Sequence, residues 1–367
     1  MSDPGPRRFE RSPHLVALIA EVERLAALVT AAPAAARAAL RTQRRVEAVH
    51  ASLALDGVAT DELPDEEVAQ QRVADAASDT TAGAGIPGPR RIGGSWLDTL
   101  RVLDDPDDQL VTALELLGAL AADDSDDLVD AVFSAPEQVL KALHRRLTRG
   151  LVTPERAGAP RELEQAVHDG ATGRILYLTT PAAQLSRELG LLLAWLVGPG
   201  AREHGVITSG VLHVELLRLH PYDAANGRLA RAAARLVLRA RGLDPDHLAA
   251  PEPILAADPL GTAEEVARTL RRRDLTVWLE RWAEAVSAGL RSSARALGTC
   301  TADPDDAARA FAAEHPRFTI AEFRAAVPAG PEQARTQLLA LLDAGLVRRV
   351  PASRGLRFEG ALDPATT

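Results

Sequence analysis

One turn of this chain constrains its surroundings more than any other: His220-Pro221-Tyr222-Asp223-Ala224-Ala225-Asn226-Gly227-Arg228-Leu229-Ala230-Arg231 crowds an imidazole, a helix start and two arginines together. A helix that opens at Asn226-Gly227 presents unpaired backbone N–H groups and the positive end of its dipole to an anion. Arg228 and Arg231 lie one helical turn apart and add two fixed positive forks. An imidazole's unperturbed pKa lies near neutrality, so His220 can take a proton from a hydroxyl. These residue types at this spacing point to phosphate chemistry.

Most of the remaining pattern is helical. Apolar residues at three- and four-residue spacing predict helices over 14–30 and 34–55, which Pro33 separates, and then from about 96 to 121 and about 128 to 149, with a new start near Pro136. Further helices are predicted over 181–197, 207–219 and 227–241, the last ending before Gly242 with Pro245 beyond. One short β signal, Gly173 to Thr180, follows the turn residues His168, Asp169 and Gly170 and predicts a small hairpin over 168–179. The acidic and then Gly/Pro-rich stretch over 58–95 predicts a linker or crossing loop.

With 367 residues and 46% hydrophobic content, the chain can form two or three compact units. Its net charge of −9 argues against strong non-specific attraction to nucleic acid or anionic lipid. Lone Cys300 excludes an intrachain disulfide and a cysteine-based metal cage. No apolar run approaches a membrane span, and MSDPGPRRFERSPH lacks the apolar core of a signal peptide, so a cytoplasmic protein without a membrane partner is expected.

The 220–231 turn resembles the signature of the Fic/Doc (Fido) family. That signature runs His, Pro, an aromatic residue, any residue, an acidic residue, Gly or Ala, Asn, Gly and Arg, with a second Arg three positions on. His220, Pro221, Tyr222, Ala225, Asn226, Gly227, Arg228 and Arg231 stand where the pattern wants them. Ala224 departs from it, because the family carries there the acidic residue that serves as a magnesium ligand. Asp223 is adjacent, but one residue of displacement at a helix start rotates a side chain by about 100°. The order of upstream elements also matches: the helix carrying Leu143, His144 and Leu147, then Thr180-Pro181, Leu193 to Leu196, and the run His213 to Leu219. The resemblance thus spans residues 96–250.

A mainly α protein is implied, with a Fic-fold helical core over 96–300 and a small β-hairpin flap. The resemblance further implies that ATP is the substrate and that His220 deprotonates a Ser, Thr or Tyr hydroxyl of a target protein. Asn226, Gly227 and Arg228 would hold α- and β-phosphate oxygens and Arg231 the γ-phosphate, so that positioning and charge neutralisation supply most of the rate. Magnesium loses its protein anchor at Ala224. The hairpin over 168–179 corresponds to the family's flap, an edge strand on which an unknown target protein docks; its plainer reading is a two-stranded cover over the core. His144 and His213 sit on apolar helical faces and read as structural, and the acidic run Asp104, Asp105, Asp107 and Asp108 reads as a solvated loop.

Near the N-terminus, Ser52-Leu-Ala-Leu-Asp56-Gly57 resembles the inhibitory motif of the same family, in which the acidic residue reaches the second arginine of the signature and obstructs ATP. Ser52 and Asp56 share a helical face and Gly57 can end that helix. The resemblance implies an Asp56–Arg231 pair, with an acid one methylene shorter than the usual Glu. Residues 1–57 would then form N-terminal helices with an inhibitory motif.

The segment 301–367 resembles a winged helix-turn-helix. Arg335, Arg348, Arg349, Arg354 and Arg357 are placed to meet DNA phosphates, while neighbouring acids leave the unit near neutral. Protein docking or pairing with a second copy is its other use. Two functions follow: AMP transfer from ATP to a protein hydroxyl, impaired by Ala224, or a degenerate Fic core that senses a ligand and acts as a DNA-binding regulator or interaction module.

Overall fold

Prolines and small polar caps set the helix limits. The structure, a computed structural model, describes residues 8–58, 63–78, 106–169, 172–299, 304–327, 331–343, 346–350 and 357–360. Pro13 opens α1 (Pro13–Ala31), where the Ser12 hydroxyl accepts the Leu15 N–H at 3.0 Å. Pro33 divides it from α2 (Ala34–Leu55), which ends at Asp56 and Gly57, the latter at φ +80°.

Part of the expected linker over 58–95 is instead helix α3 (Glu66–Ser78). Its composition favours a helix, with Glu66 and Glu67 in the first turn where the dipole stabilises carboxylates. Ala69 and Val73 pack with Leu116 and Leu120 of α4 (Pro106–Asp123), and this apolar contact decides the matter. The rest of that linker lies mostly outside the described residues, as do Asp104, Asp105 and the start of the helix expected from 96. The helix expected over 128–149 divides into a short 3-10 turn and α5 (Pro136–Leu147), since Pro136 starts a new helix.

Strands β1 (Ala166–His168) and β2 (Ile175–Leu178) pair antiparallel, with Val167 opposite Tyr177 and a bulge after Val167. Gly170 lies outside the described residues. Helices α6 (Ala182–Val197), α7 (Gly205–Leu219) and α8 (Asn226–Ala240) follow. Every residue of α7 from Gly205 to Glu215 is buried, because α6, α8 and α11 surround it. Helices α9 (Glu252–Ala256), α10 (Pro259–Arg272) and α11 (Thr276–Ala296), not expected from the sequence, follow.

Residues 1–57 pack into the same compact unit as the helices that follow. Helix α1 buries Leu15, Val22, Leu25 and Val29 as one stripe and packs along α11, while α2 packs on α4, α8 and α9. The first compact unit accordingly runs from Met1 to Leu297, and the boundary falls three residues before the expected one. No helix among the described residues is long and apolar enough to cross a membrane.

The second unit, Gly298–Thr367, has its own core. It contains α12 (Pro304–Glu314), β3 (Arg317–Thr319), α13 (Ile320–Ala326), α14 (Pro331–Asp343), β4 (Val347–Arg349) and β5 (Arg357–Gly360), with sheet order β3-β5-β4. Thr319 and Glu322 form a capping box that starts α13 directly from β3. Phe311, Phe318, Phe323, Leu338 and Phe358 fill the space between helices and sheet.

Candidate functional site

The α7–α8 turn is held by donors taken from outside it. The Leu219 carbonyl accepts from Arg161 Nη2 at 3.2 Å, that of His220 from Arg161 Nε at 2.6 Å, and that of Pro221 from the Arg161 backbone N–H at 3.0 Å. Gln165 Nε2 reaches the Tyr222 and Asp223 carbonyls at 3.3 and 3.0 Å, and His144 Nε2 lies 3.2 Å from the Ala224 carbonyl. The first N–H groups of α8 have no intrahelical acceptor, and a helix start of this kind suits an anion. His220 and Ala225 both adopt the left-handed region, at φ +43° and +56°.

His220 is 4% exposed, and neither ring nitrogen has a protein partner among the described residues. Burial, reinforced by the Arg161 guanidinium and opposed by Asp56, lowers its pKa to about 4. The imidazole is therefore neutral at pH 7, the form that accepts a proton. Tyr177 of β2 faces it edge-on with ring centroids 6.4 Å apart.

Arg228 and Arg231 are both buried, and carboxylates already occupy them. Arg231 Nη2 donates to Asp56 Oδ1 at 2.6 Å and to the Ser52 carbonyl at 2.8 Å, while Nε donates to Ser52 Oγ at 2.7 Å. Asp56 Oδ2 also lies 3.0 Å from Arg228 Nε, so this one residue bridges both arginines. Its shorter side chain reaches them because Gly227 lets α2 approach: a Cβ at Gly227 would stand 2.5 Å from Asp56 Oδ1. A second carboxylate, missed by sequence reading, is Glu115 of α4, 3.3 Å from Arg228 Nη2 and itself buried. Its signal was a lone acid inside the apolar run VTALELLGAL.

Asn226 spends its side chain locally, with Oδ1 accepting the Tyr222 N–H at 3.0 Å and Nδ2 donating to the Tyr222 carbonyl at 2.8 Å. In this state it shapes the loop. His144 stacks on Tyr222 at 4.2 Å and its Nδ1 accepts the Gly158 N–H at 2.8 Å, so Nε2 carries the proton toward Ala224. Burial lowers its pKa to about 4. His213 stacks on both Trp278 and Trp282, with centroids 5.3 and 4.9 Å away, and burial lowers it to about 3.

The residues present do not fit a protein-anchored magnesium. Ala224 offers no carboxylate, Asp223 is drawn to Arg156 Nε at 2.7 Å, and no group of three His, Cys, Asp or Glu among the described residues could hold a metal ion.

Residues 133–238 match the family model described as Fic/DOC family. A Fic family protein from Desulfovibrio desulfuricans G20, known from its crystal structure, is similar in fold with a TM-score of 0.57 at 20% identity, over 98% of this chain and 98% of that one. A variant of Fic-1 from C. elegans gives a TM-score of 0.48 at 15% identity, over 78% of this chain and 73% of that one. Fic-1 from C. elegans without that change gives 0.44 at 15% identity, over 78% and 74%. No curated protein matches the chain. The matched segment contains the whole α7–α8 turn, and the chain thus carries a Fic domain.

Proposed function

We propose that this protein transfers AMP from ATP to a hydroxyl of a target protein and that Asp56 holds it off. One observation carries the reading: the two signature arginines are buried beside a neutral, unpartnered histidine, with carboxylates where phosphates would bind. In the transfer, His220 takes the proton of the target hydroxyl, the oxygen attacks the α-phosphorus, and pyrophosphate leaves. Arg228, Arg231 and the N–H groups of α8 neutralise charge on the phosphates as they move, without reorganising. The proton is taken by a ring that burial keeps neutral.

The β1–β2 hairpin suits docking of the target segment. Ile175 and Leu178 of β2 are 54% and 71% exposed, and a two-stranded sheet leaves edges for main-chain pairing. A second reading rests on Ala224 and on the second unit, whose helix, strand, two helices and two strands follow winged-helix order. In it, a degenerate core senses a ligand and the exposed Arg335 of α14 approaches DNA. Arg348 and Arg317 both face Glu359, at 2.5 and 3.4 Å, which lowers the positive charge of that sheet and favours protein docking over DNA.

The deciding experiment incubates wild type, Asp56→Gly, His220→Ala and Ala224→Asp with α-labelled ATP and follows label on protein. Asp56→Gly is expected to raise labelling and His220→Ala to abolish it. Label only with Ala224→Asp would make the natural protein a pseudoenzyme, and a salt-sensitive DNA shift without any label would favour the regulator.

A further inference from the structure

Between α5 and β1 lies a guanidinium that the transfer reading does not use. Arg161 is 3% exposed, yet no carboxylate touches it among the described residues; its partners are oxygens of the backbone and one hydroxyl. Nε donates to the His220 carbonyl at 2.6 Å, and Nη1 donates to the Leu163 carbonyl at 2.6 Å. Nη2 reaches the Leu219 carbonyl at 3.2 Å, Thr179 Oγ1 at 3.2 Å and, closer still, the Thr180 carbonyl. One side chain therefore joins three pieces: the C-terminal end of α7, the left-handed residue that carries the imidazole, and the chain leaving β2.

We propose that Arg161 is the positioning residue of this site, a clamp that sets the backbone of His220 against the base of the β1–β2 hairpin. Resting on the transfer reading, this gives the hairpin a second task beyond docking.

Three physical points support it. Carbonyls at a helix C-terminus lack intrahelical donors, and a cation there also meets the negative end of the dipole. A left-handed non-glycine residue persists only where its surroundings over-determine it, and Arg161 binds His220 and both its neighbours by side chain or backbone. The fork is rigid, so the hairpin end and the imidazole keep one spacing, and a hydroxyl presented along β2 meets the ring at a constant place. Arg161 also acts with burial to keep the ring neutral, against the opposing charge of Asp56.

The test uses the full chain carrying Asp56→Gly, with Arg161→Met and Arg161→Lys added singly. Labelling with α-labelled ATP gives kcat and the nucleotide KM, and ¹⁵N spectra of histidine-labelled protein, assigned by His220→Ala, report the His220 ring directly. Arg161→Met is expected to lower kcat by about 10²-fold while KM moves less than about threefold. The His220 ring resonances should shift as well, with Arg161→Lys intermediate in both readouts. Unchanged His220 resonances and kcat would overturn the proposal, as would a rise in KM that accounts for the whole loss. If Arg161→Met does not fold, Arg161→Lys carries the same comparison. If the Asp56→Gly parent takes no label, the transfer reading fails by itself and the His220 resonances still decide the clamp.

Discussion

Helix α8 buries arginines at both ends, and the two ends treat them differently. Toward the C-terminal end, all three nitrogens of Arg235 are engaged: Nη1 by Asp123 at 2.6 Å, Nε by Asp244 at 3.3 Å, and Nη2 by the His247 carbonyl at 3.1 Å. At the N-terminal end, Arg228 faces Asp56 and Glu115, but its Nη1 has no partner among the described residues. Both ends neutralise buried charge. Arg239 in the last turn also keeps an unpartnered Nε among the described residues, but only the N-terminal end sets a free donor beside the N–H groups of a helix start and an unpartnered imidazole. In the transfer proposed above, the arginine whose carboxylate gives way to phosphate is the one with a free donor beside the helix start and the imidazole, while Arg235 is saturated.

The largest expected effect would break or uphold that contrast. Asp123→Ala leaves Arg235 under-compensated in the interior and should cost about 3–5 kcal/mol, read by urea denaturation. Millimolar pyrophosphate should recover none of this. Asp56→Ala should cost less, and saturating pyrophosphate should return about 2.7 kcal/mol at a hundredfold excess over its Kd. Equal rescue of both variants would show that the two ends are alike.

Acid should separate the ends further. Burial holds His144 and His220 near 4 and His213 near 3, all below the ordinary 6.5, so the folded protein keeps them neutral where the unfolded chain binds protons. Stability is then complete above pH 6.5 and falls as pH drops toward 4, by roughly 3 kcal/mol per histidine over the window. Asp123 shifts in the same direction but titrates lower: against the cost of burial, Arg235 holds its carboxyl well below the usual range, so its contribution persists through this window and is lost only in stronger acid. Denaturation midpoints from pH 7 to pH 4 for wild type and His144→Gln should show a shallower slope in the variant. An unchanged slope would remove His144 from the account.

The smallest effect concerns the loop itself. Ala225 carries a Cβ at φ +56°, so Ala225→Gly should stabilise the protein by about 1 kcal/mol, visible as a raised denaturation midpoint. A lower midpoint would mean that the left-handed conformation costs nothing here.

How much of this was legible varied with the range of the interaction. Helix α8, its turn and the Ser52–Asp56 face were readable because spacing along one helix decides which side chains share a face. Helix α3 was hidden by its acidic neighbourhood, and its packing on Leu116 and Leu120 has no local signature. Glu115 showed only as one acid in an apolar run. Arg161 gave no signal, because the carbonyls it binds are the same in every sequence.

The sequence by itself determined the chemistry of the turn: His220, two arginines one turn apart, no acid at Ala224, and a helix start to receive an anion. The tertiary structure alone decided how those groups are held and paired. It set α2 against Gly227 so that Asp56 bridges two arginines, brought Glu115 to Arg228, and placed Arg161 under His220. Residue identity and spacing settle local geometry, but a buried charge takes whichever partner packing brings within reach, and packing belongs to the whole chain.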